Sequence, residues 1–186
     1  MRNAVFGINI TVDGCCDHMQ VIADDELHEY STELLRSVDL VVFGRKTFQL
    51  FESYWPAVAK NQSETRAVNE FARTIDSLEK IVFSTTLTRV EWRNSRIVRG
   101  NLQDEIVKLK HRDGKDISVV GLSIASQLAQ LDLIDDYHFL VQPLVAGRGP
   151  RLFEARGASK SLQLKLVGST MFQSGVVASH YKRRLG

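Results

Sequence analysis

The amino-acid sequence predicts an α/β protein, a three-layer sandwich in which helices cover both faces of a mainly parallel β-sheet. Short apolar runs of strand type alternate with segments whose apolar residues recur at helical spacing, which is typical of parallel sheets. The last third of the chain differs. Residues 162–166 alternate strictly between apolar and polar side chains, and residues 176–181 form a second strand pattern with no helix between. This pattern predicts an antiparallel hairpin at the C-terminal end of the sheet.

The elements of the first half are predicted from apolar runs and helix-starting residues. Strand 4–12 (AVFGINITV) ends at a turn where Gly14 can take a positive φ. Carboxylates at 24–26 indicate a helix start, because a helix N-terminus favours negative charge. The run 40–43 (LVVF) is typical of a doubly buried strand, and a short helix is expected after it, to about residue 53. Two helices are predicted from apolar residues at helical spacing. The first has an apolar face of Leu27, Tyr30, Leu34 and Val38. The second is capped by Ser63 and has an apolar face of Ala67, Val68, Phe71 and Ile75.

The second half continues the same alternation until the hairpin. Short apolar strands are predicted at 80–84, 95–99 and 117–120. Strand 137–145 (YHFLVQPLV) contains Pro143, which cannot donate to a ladder and therefore predicts an edge or a bulge. Without a linker or an internal repeat, residues 1–186 are predicted to form one domain. Two further helices have apolar faces at Leu102, Ile106 and Leu109 and at Ile124, Leu128 and Leu131.

The composition excludes several classes of protein. Of 186 residues, 44% are hydrophobic and 25% are charged, and 24 basic against 22 acidic residues give a formal net charge of +2. Three prolines and regular apolar segments do not favour disorder. A nearly neutral charge does not favour a nucleic-acid partner, despite the basic residues at 182–184. No apolar stretch approaches the ~20 residues of a spanning helix, so no membrane partner is expected.

The two cysteines, Cys15 and Cys16, are adjacent. Neighbouring cysteines do not easily meet disulfide geometry with each other, and the spacing of a redox pair or of a zinc site is absent. Reduced thiols are typical of the cytoplasm, which is the expected location. We interpret both as small packed or pocket-lining thiols; the alternative is a nucleophile, for which no base partner is evident. No metal site is predicted, because the histidines show no ligand spacing.

Three predicted strand ends carry residues that suit a phosphate-bearing ligand, since ligands of open α/β sheets bind outside the carboxyl ends of the strands. At 43–47 a predicted strand is followed directly by a predicted helix. The free N–H groups at the start of that helix, together with the charges of Arg45 and Lys46, favour binding of an anion. The hydroxyls of 84–86 could bond phosphate or ribose oxygens, and Gly121 allows close backbone approach before a helix. Each end has a second interpretation, as a turn glycine, loop polar residues or a solvated charge. Together they indicate a nucleotide-like ligand.

Seven short motifs occur in one order along nearly the whole chain: residues 11–14 (TVDG), 43–48 (FGRKTF), 54–56 (YWP), 82–87 (VFSTTL), 119–121 (VVG), 133–136 (LIDD) and 143–153 (PLVAGRGPRLF). In this set the sequence resembles the dihydrofolate reductase-like superfamily. The closer resemblance is to the branch that contains the reductase domain of bacterial riboflavin biosynthesis.

The resemblance implies an NADPH-dependent oxidoreductase that reduces a small pterin-like or pyrimidine-like substrate, similar to 5-amino-6-(5-phosphoribosylamino)uracil reductase. The alternative is a non-catalytic relative that binds a nucleotide or another metabolite on the same scaffold. The resemblance also implies a homodimer formed through the C-terminal hairpin and the edge strand. The implied cofactor-binding residues are Gly44, Arg45, Lys46, Thr47, Ser84, Thr85, Gly121 and Ser123, with Arg45 on the 2′-phosphate.

Two residues are expected to be catalytic on the same grounds. Asp13 belongs to the Asp-Gly turn that borders substrate and nicotinamide in the family. His28 lies in the stretch where dihydrofolate reductases place a carboxylate proton donor, and a histidine titrates near neutral pH. The alternative roles are structural: Asp13 as the residue that forms the turn before Gly14, and His28 as a surface histidine.

One motif departs from the family, which has Gly-Gly where this chain has Gly121 and Leu122. In dihydrofolate reductases that bond is cis. A cis bond before a residue other than proline costs about 2.5–4 kcal/mol. We therefore expect a trans bond here, and a weaker or altered cofactor site beside Leu122.

Overall fold

An eight-stranded sheet forms the centre of the computed structural model, which describes residues 1–152 and 161–184. The strand order is β4-β3-β2-β5-β1-β6-β8-β7. Strands β1 to β6 are parallel to their neighbours among them, and β8 runs antiparallel to both β6 and β7. The strands are β1 (Ala4–Thr11), β2 (Val38–Gly44), β3 (Glu79–Phe83), β4 (Ser95–Val98), β5 (Asp116–Val120), β6 (Asp136–Gln142), β7 (Leu164–Met171) and β8 (Val177–Arg183). The parallel sheet with a C-terminal antiparallel hairpin is confirmed.

Helices cover both faces of this sheet. In the described part they are α1 (Asp25–Arg36), α2 (Arg45–Glu52), α3 (Trp55–Asn61), α4 (Arg66–Ser77), α5 (Leu102–Lys110) and α6 (Leu122–Gln130). Polar side chains begin several of them: Asp24 accepts a hydrogen bond from the Leu27 N–H at 2.8 Å, and Asn101 accepts one from the Asp104 N–H at 3.2 Å. Such caps satisfy N–H groups that the first helical turn leaves without a partner.

Two apolar clusters on opposite faces of the sheet establish the three layers. Alternate residues of β2 divide between them, because successive side chains of a strand point to opposite faces. Leu40 and Val42 belong to the cluster of α5 and α6, whereas Val41 and Phe43 belong to that of α1, α2 and α4. The first cluster includes Phe6, Ile106, Ile117, Val119, Ile124 and Leu128, and the second includes Leu35, Phe48, Phe71, Ile75, Val82 and Trp92.

Several boundaries differ from the prediction. Val38 starts β2 instead of ending α1, and Thr65, not Ser63, caps α4. The prediction of an edge or bulge at Pro143 is wrong. Strand β6 is interior, paired with β1 and β8, and ends at Gln142, so the missing N–H of the proline lies beyond the ladder.

Strand β7 is the last strand of the sheet and has a neighbouring strand on one side only. Its side chains Leu166, Val167 and Met171 are exposed. The homodimer implied by the resemblance stays a prediction. Within the described ranges, no helix combines the length and apolar character needed to cross a bilayer. Phe153, the last residue of the seventh motif, lies outside the described residues.

A buried polar network joins α1 to the sheet at His138, which is 7% exposed. The Tyr30 hydroxyl lies 2.8 Å from Nδ1 of His138, and the His138 ring stacks on the His180 ring with centroids 4.1 Å apart. Burial, with the neighbouring His180 as a second cause, lowers the pKa of His138 to about 4. His138 is therefore neutral in the folded protein at physiological pH.

We expect the folded protein to lose stability below pH 6.5 because of His138. Between pH 6.5 and pH 4 the unfolded chain binds a proton at this histidine and the folded protein does not, so stability rises with pH. Urea denaturation of wild type and His138→Gln at pH 7 to pH 4 measures the effect. Between pH 7 and pH 4, the unfolding free energy of wild type should fall by about 3 kcal/mol more than that of His138→Gln. A difference that stays constant over this range would contradict a neutral buried His138.

Candidate functional site

A cavity of about 1010 Å³ lies at the carboxyl ends of β2, β3, β4 and β5. The sheet order makes these strands neighbours, and parallel strands end at the same edge of a sheet, where ligands of α/β proteins bind. The cavity brings together all of the residues that were expected to bind the cofactor: Gly44, Arg45, Lys46, Thr47, Ser84, Thr85, Gly121 and Ser123. The sequence-based interpretation of three ligand-binding strand ends therefore corresponds to one continuous site.

Two helices begin at this cavity without a side-chain cap. Gly44 is the N-cap of α2 and Gly121 is the N-cap of α6, and a glycine has no side chain to bond the first N–H groups. In α1, α4 and α5, by contrast, a side chain of the N-cap residue accepts such a bond. Helix N-termini carry partial positive charge and bind anions readily. The cavity therefore offers two backbone sites for negatively charged oxygens.

Gly121 is required by the close approach of α2 and α6. Its φ is +113°, and a Cβ atom there would lie 2.7 Å from Oγ1 and 3.2 Å from Cβ of Thr47. Any other residue would be strained in this conformation and would displace Thr47. None of the described peptide bonds is cis, so the bond between Gly121 and Leu122 is trans, as predicted. Leu122 itself lines the cavity.

The charged residues that line the cavity are all cations. Arg45, Lys46 and Arg99 are among the described lining residues, which include no aspartate or glutamate. Arg45 donates to Oγ1 of Thr86 at 3.1 Å, and Arg99 donates to the Leu87 carbonyl oxygen at 2.7 Å. Both guanidinium groups are thus held beside the turn that follows β3, where they favour an anionic ligand.

Ser84 organises this turn. Its Oγ accepts hydrogen bonds from the backbone N–H groups of Thr86 at 3.2 Å and Leu87 at 2.9 Å. Side-chain hydroxyls commonly fix turns in this way. The hydroxyl proton stays available for a ligand oxygen, so Ser84 can stabilise the turn and bind a ligand at the same time.

Arg99 and Pro150 line the cavity but were not expected to. Arg99 directly follows β4, which pairs with β3 at the edge of the sheet. A basic residue at the carboxyl end of a predicted parallel strand was the signal that identified Arg45, and the same signal applies to Arg99. The sequence did not establish that β4 neighbours β3. Thr86, one of the three hydroxyl residues expected at the end of β3, also lines the cavity; lining residues without a sequence signal are Gly100, Leu102 and Gln127.

Asp13 does not line the cavity. Its carboxylate accepts hydrogen bonds from the Thr11 hydroxyl at 2.5 Å, the Ala146 N–H at 3.0 Å and the Gly147 N–H at 2.8 Å. These bonds, that of Thr11 first, hold the pKa of Asp13 well below its usual range. The carboxylate is therefore ionised and already engaged by the protein, which does not favour the expected catalytic role.

His28 does not reach the cavity either, and it is not a surface histidine. Its side chain is buried (8% exposed) between α1, α3 and α4, with the ring against Trp55 and Phe71 at centroid distances of 6.2 and 5.9 Å. Nδ1 lies 2.7 Å from the Asp24 carbonyl oxygen. The surface alternative is therefore wrong, because His28 packs in the helical layer; its expected role as a proton donor stays a prediction.

The thiols match the interpretation as small packed residues. Cys15 is buried, and Cys16 is partly exposed. Considering the described residues alone, no group of three or more His, Cys, Asp or Glu residues could hold a metal ion.

Two further cavities lie on the helical surface and have mixed charge. One of about 630 Å³ is lined by Glu52, Asp76 and Glu91 together with Lys60 and Arg93. The other, of about 580 Å³, is lined by Glu26, Glu29, Glu33 and Glu70 together with Arg36 and Arg66. Neither is lined by strand-end glycines or by helix N-caps, so the cavity at the strand ends is the better candidate for an anionic ligand.

The sheet order and the C-terminal hairpin define a protein of the dihydrofolate reductase-like fold. Residues 6–178 match the family model of the RibD C-terminal domain. The chain belongs to this family.

Two proteins are similar to this chain over nearly its whole length. The uncharacterised protein YyaP of Bacillus subtilis (strain 168) is 29% identical over 186 residues, which cover 97% of this chain and 94% of that protein. A putative riboflavin biosynthesis protein from Shewanella sp. PV-4 is 22% identical, with a TM-score of 0.72 and complete coverage of both chains.

Two further structures are similar in fold. A pyrimidine reductase-like protein from Corynebacterium diphtheriae is 16% identical, with a TM-score of 0.68, over 100% of this chain and 93% of that one. A diaminohydroxyphosphoribosylaminopyrimidine deaminase/5-amino-6-(5-phosphoribosylamino)uracil reductase from Thermotoga maritima is 17% identical, with a TM-score of 0.67. The match covers 98% of this chain and 57% of the Thermotoga chain. At these identities the structural likeness shows a common fold.

Proposed function

We propose that this protein is an NADPH-dependent reductase of a small pterin-like or pyrimidine-like heterocycle. The single observation that carries the proposal is the cavity at the strand ends. It combines two uncapped helix N-termini with three cations and contains no described carboxylate. Membership in the RibD C-terminal domain family supports a reductase.

The charge of the cavity favours NADPH over NADH. Sites that bind NAD commonly place an acidic residue on the ribose 2′-hydroxyl, whereas an arginine accommodates the 2′-phosphate of NADP. Arg45 and Arg99 lie beside the turn after β3, and the described lining residues offer no carboxylate. We assign the 2′-phosphate to these two arginines and the Ser84 hydroxyl.

The remaining parts of the cavity suit a diphosphate. The residues that begin α2 and α6 line the cavity and neither helix has a side-chain cap, so the backbone N–H groups of both helix starts are available to phosphate oxygens. When bound, NADPH would supply the hydride. The protein would orient the cofactor, neutralise its phosphates and exclude water from the reacting carbon.

The second candidate function is that of a non-catalytic binder of NADPH or a related nucleotide. One observation favours it: the described lining of the cavity contains no histidine, aspartate or glutamate that could protonate a substrate. The Leu122 side chain also takes part of the wall where the family has a glycine.

Fluorescence titration with NADPH and NADH tests the proposal. We expect NADPH to bind at least about tenfold more tightly than NADH, because only NADPH carries the 2′-phosphate. Absence of NADPH binding at millimolar concentration would contradict the proposed reductase. Oxidation of bound NADPH on addition of 5-amino-6-(5-phosphoribosylamino)uracil or of dihydrofolate would support the reductase, whereas tight binding without turnover of either probe would favour the binder.

A further inference from the structure

The loop after β6 folds back onto the segment that follows β1. We call residues 143–152 the glycine-rich loop. The Val12 N–H donates to the Leu144 carbonyl oxygen at 3.0 Å, and the Cys16 N–H donates to the Pro150 carbonyl oxygen at 2.7 Å. Cys15 and Arg151 form an antiparallel bridge between the two segments. The glycine-rich loop is thus held at its beginning and at its end.

Asp13 is the side chain that ties the middle of this loop to its end. Its Oδ1 accepts from the Ala146 N–H and its Oδ2 from the Gly147 N–H, at 3.0 and 2.8 Å. Nη2 of Arg151 lies 3.5 Å from Oδ2, and Nη1 of Arg151 donates to the backbone oxygen of Asp13. One carboxylate therefore bonds two consecutive N–H groups and faces a guanidinium group five residues beyond the first of them.

The loop is seated on the thiol of Cys15. This thiol is 1% exposed, and its Sγ lies 3.4 Å from the Arg148 carbonyl oxygen. Gly149 has a φ of +132°, and a Cβ atom at this position would overlap Sγ of Cys15. Only a glycine permits this contact, so the observed position of the loop over the thiol depends on Gly149.

That position matters for the candidate site because Pro150, held between Gly149 and Arg151, forms part of the wall of the cavity. We propose that Asp13 is a positioning residue, whose carboxylate fixes the glycine-rich loop so that Pro150 closes this side of the NADPH cavity. The loop position itself is a property of the free protein; its effect on NADPH rests on the proposed function.

The arrangement requires a carboxylate. Two backbone N–H groups and the Arg151 guanidinium all donate toward Asp13, and a carboxylate offers only acceptors. In Asp13→Asn an amide NH₂ replaces one of the two oxygens and faces a donor. The variant keeps the volume of the side chain and loses its charge, so the loop should detach while the sheet stays folded.

Thiol labelling measures the loop position directly. In a Cys16→Ser background, Cys15 is the only cysteine of the chain, and 5,5′-dithiobis(2-nitrobenzoate) reports how often the loop exposes it. We expect Asp13→Asn to accelerate labelling about tenfold. Gly149→Ala should also accelerate labelling, because its Cβ would overlap Sγ of Cys15 and displace the loop from the thiol. Asp17→Asn is the matched control, because Asp17 caps the short 3₁₀ helix at 18–20. In this variant Cys15 should be labelled at the same rate as in the parent.

NADPH titration of the same variants tests the consequence for the cavity. Asp13→Asn and Gly149→Ala should raise the Kd for NADPH about tenfold, with a urea midpoint close to that of the parent. Unchanged labelling in Asp13→Asn would overturn the proposal, and so would faster labelling with an unchanged Kd. If Asp13→Asn does not fold, Asp13→Glu takes its place: it keeps the charge, moves the carboxylate by one methylene group away from the Ala146 and Gly147 N–H groups, and should also accelerate labelling. A parent protein that does not bind NADPH would contradict the proposed function, whereas the labelling rates would still decide whether Asp13 fixes the loop.

Discussion

Replacing both Arg45 and Arg99 by alanine is expected to weaken NADPH binding about 100-fold and to leave NADH binding nearly unchanged. Each guanidinium group is placed to bond the 2′-phosphate, and charge-assisted hydrogen bonds contribute more than neutral ones. Because the side chains are exposed, screening limits each to about tenfold, or ~1.4 kcal/mol. Fluorescence titration with the two cofactors measures the effect, and each single variant should show about half of it in free energy.

The controls for this prediction lie in the same region. Arg89→Ala removes an exposed guanidinium that pairs with Glu91 and does not line the cavity, so its affinity for NADPH should equal that of wild type. Arg45→Lys should be intermediate, because lysine keeps the charge and loses the fork of donors. An equal loss for NADPH and NADH would show that the arginines do not bind the 2′-phosphate.

Replacing Gly121 by alanine is expected to damage both the fold and the ligand site. A residue with a Cβ at φ +113° is strained by about 1–3 kcal/mol, and this Cβ would also press on Thr47 at 2.7 Å. We expect the unfolding free energy to fall by a similar amount in urea denaturation. NADPH affinity should fall at least about tenfold, since the added methyl group separates the starts of α2 and α6.

Gly168→Ala is the matched control for this substitution. Gly168 lies in β7, and a Cβ atom there has no neighbour within 4 Å. This variant should keep the stability of wild type to within about 0.5 kcal/mol and its NADPH affinity. If Gly121→Ala were as stable as Gly168→Ala, the backbone at Gly121 would not be constrained as described.

The fold and most of the candidate site were predictable because they depend on local patterns. The short runs around Val42, Val82 and Val119 are mainly apolar, and each is followed by glycine or hydroxyl residues. Strand ends of this kind indicate ligand contacts without knowledge of strand order. Arg99 shows the limit, because its place in the cavity depends on the pairing of β4 with β3, which no local pattern specifies.

The two expected catalytic residues show a second limit. The partners of Asp13 in the glycine-rich loop lie more than 130 positions away in the sequence, and those of His28 lie on α3 and α4. A short sequence motif cannot reveal such contacts. Helix α3 was missed for a local reason: its first turn contains Pro56, and prolines are typical of turns as well as of helix starts.

The central place of β1 affects how the protein is made. β1 is synthesised before every other described strand, yet its two neighbours begin only at Asp116 and Asp136. At ~5–20 residues per second, the ribosome leaves both edges of β1 unpaired for at least several seconds. During that interval Phe6, which is fully buried in the finished protein, has no sheet to enter. A nascent chain of this topology therefore exposes an apolar strand with two unpaired edges, which favours aggregation until residues 116–142 have emerged.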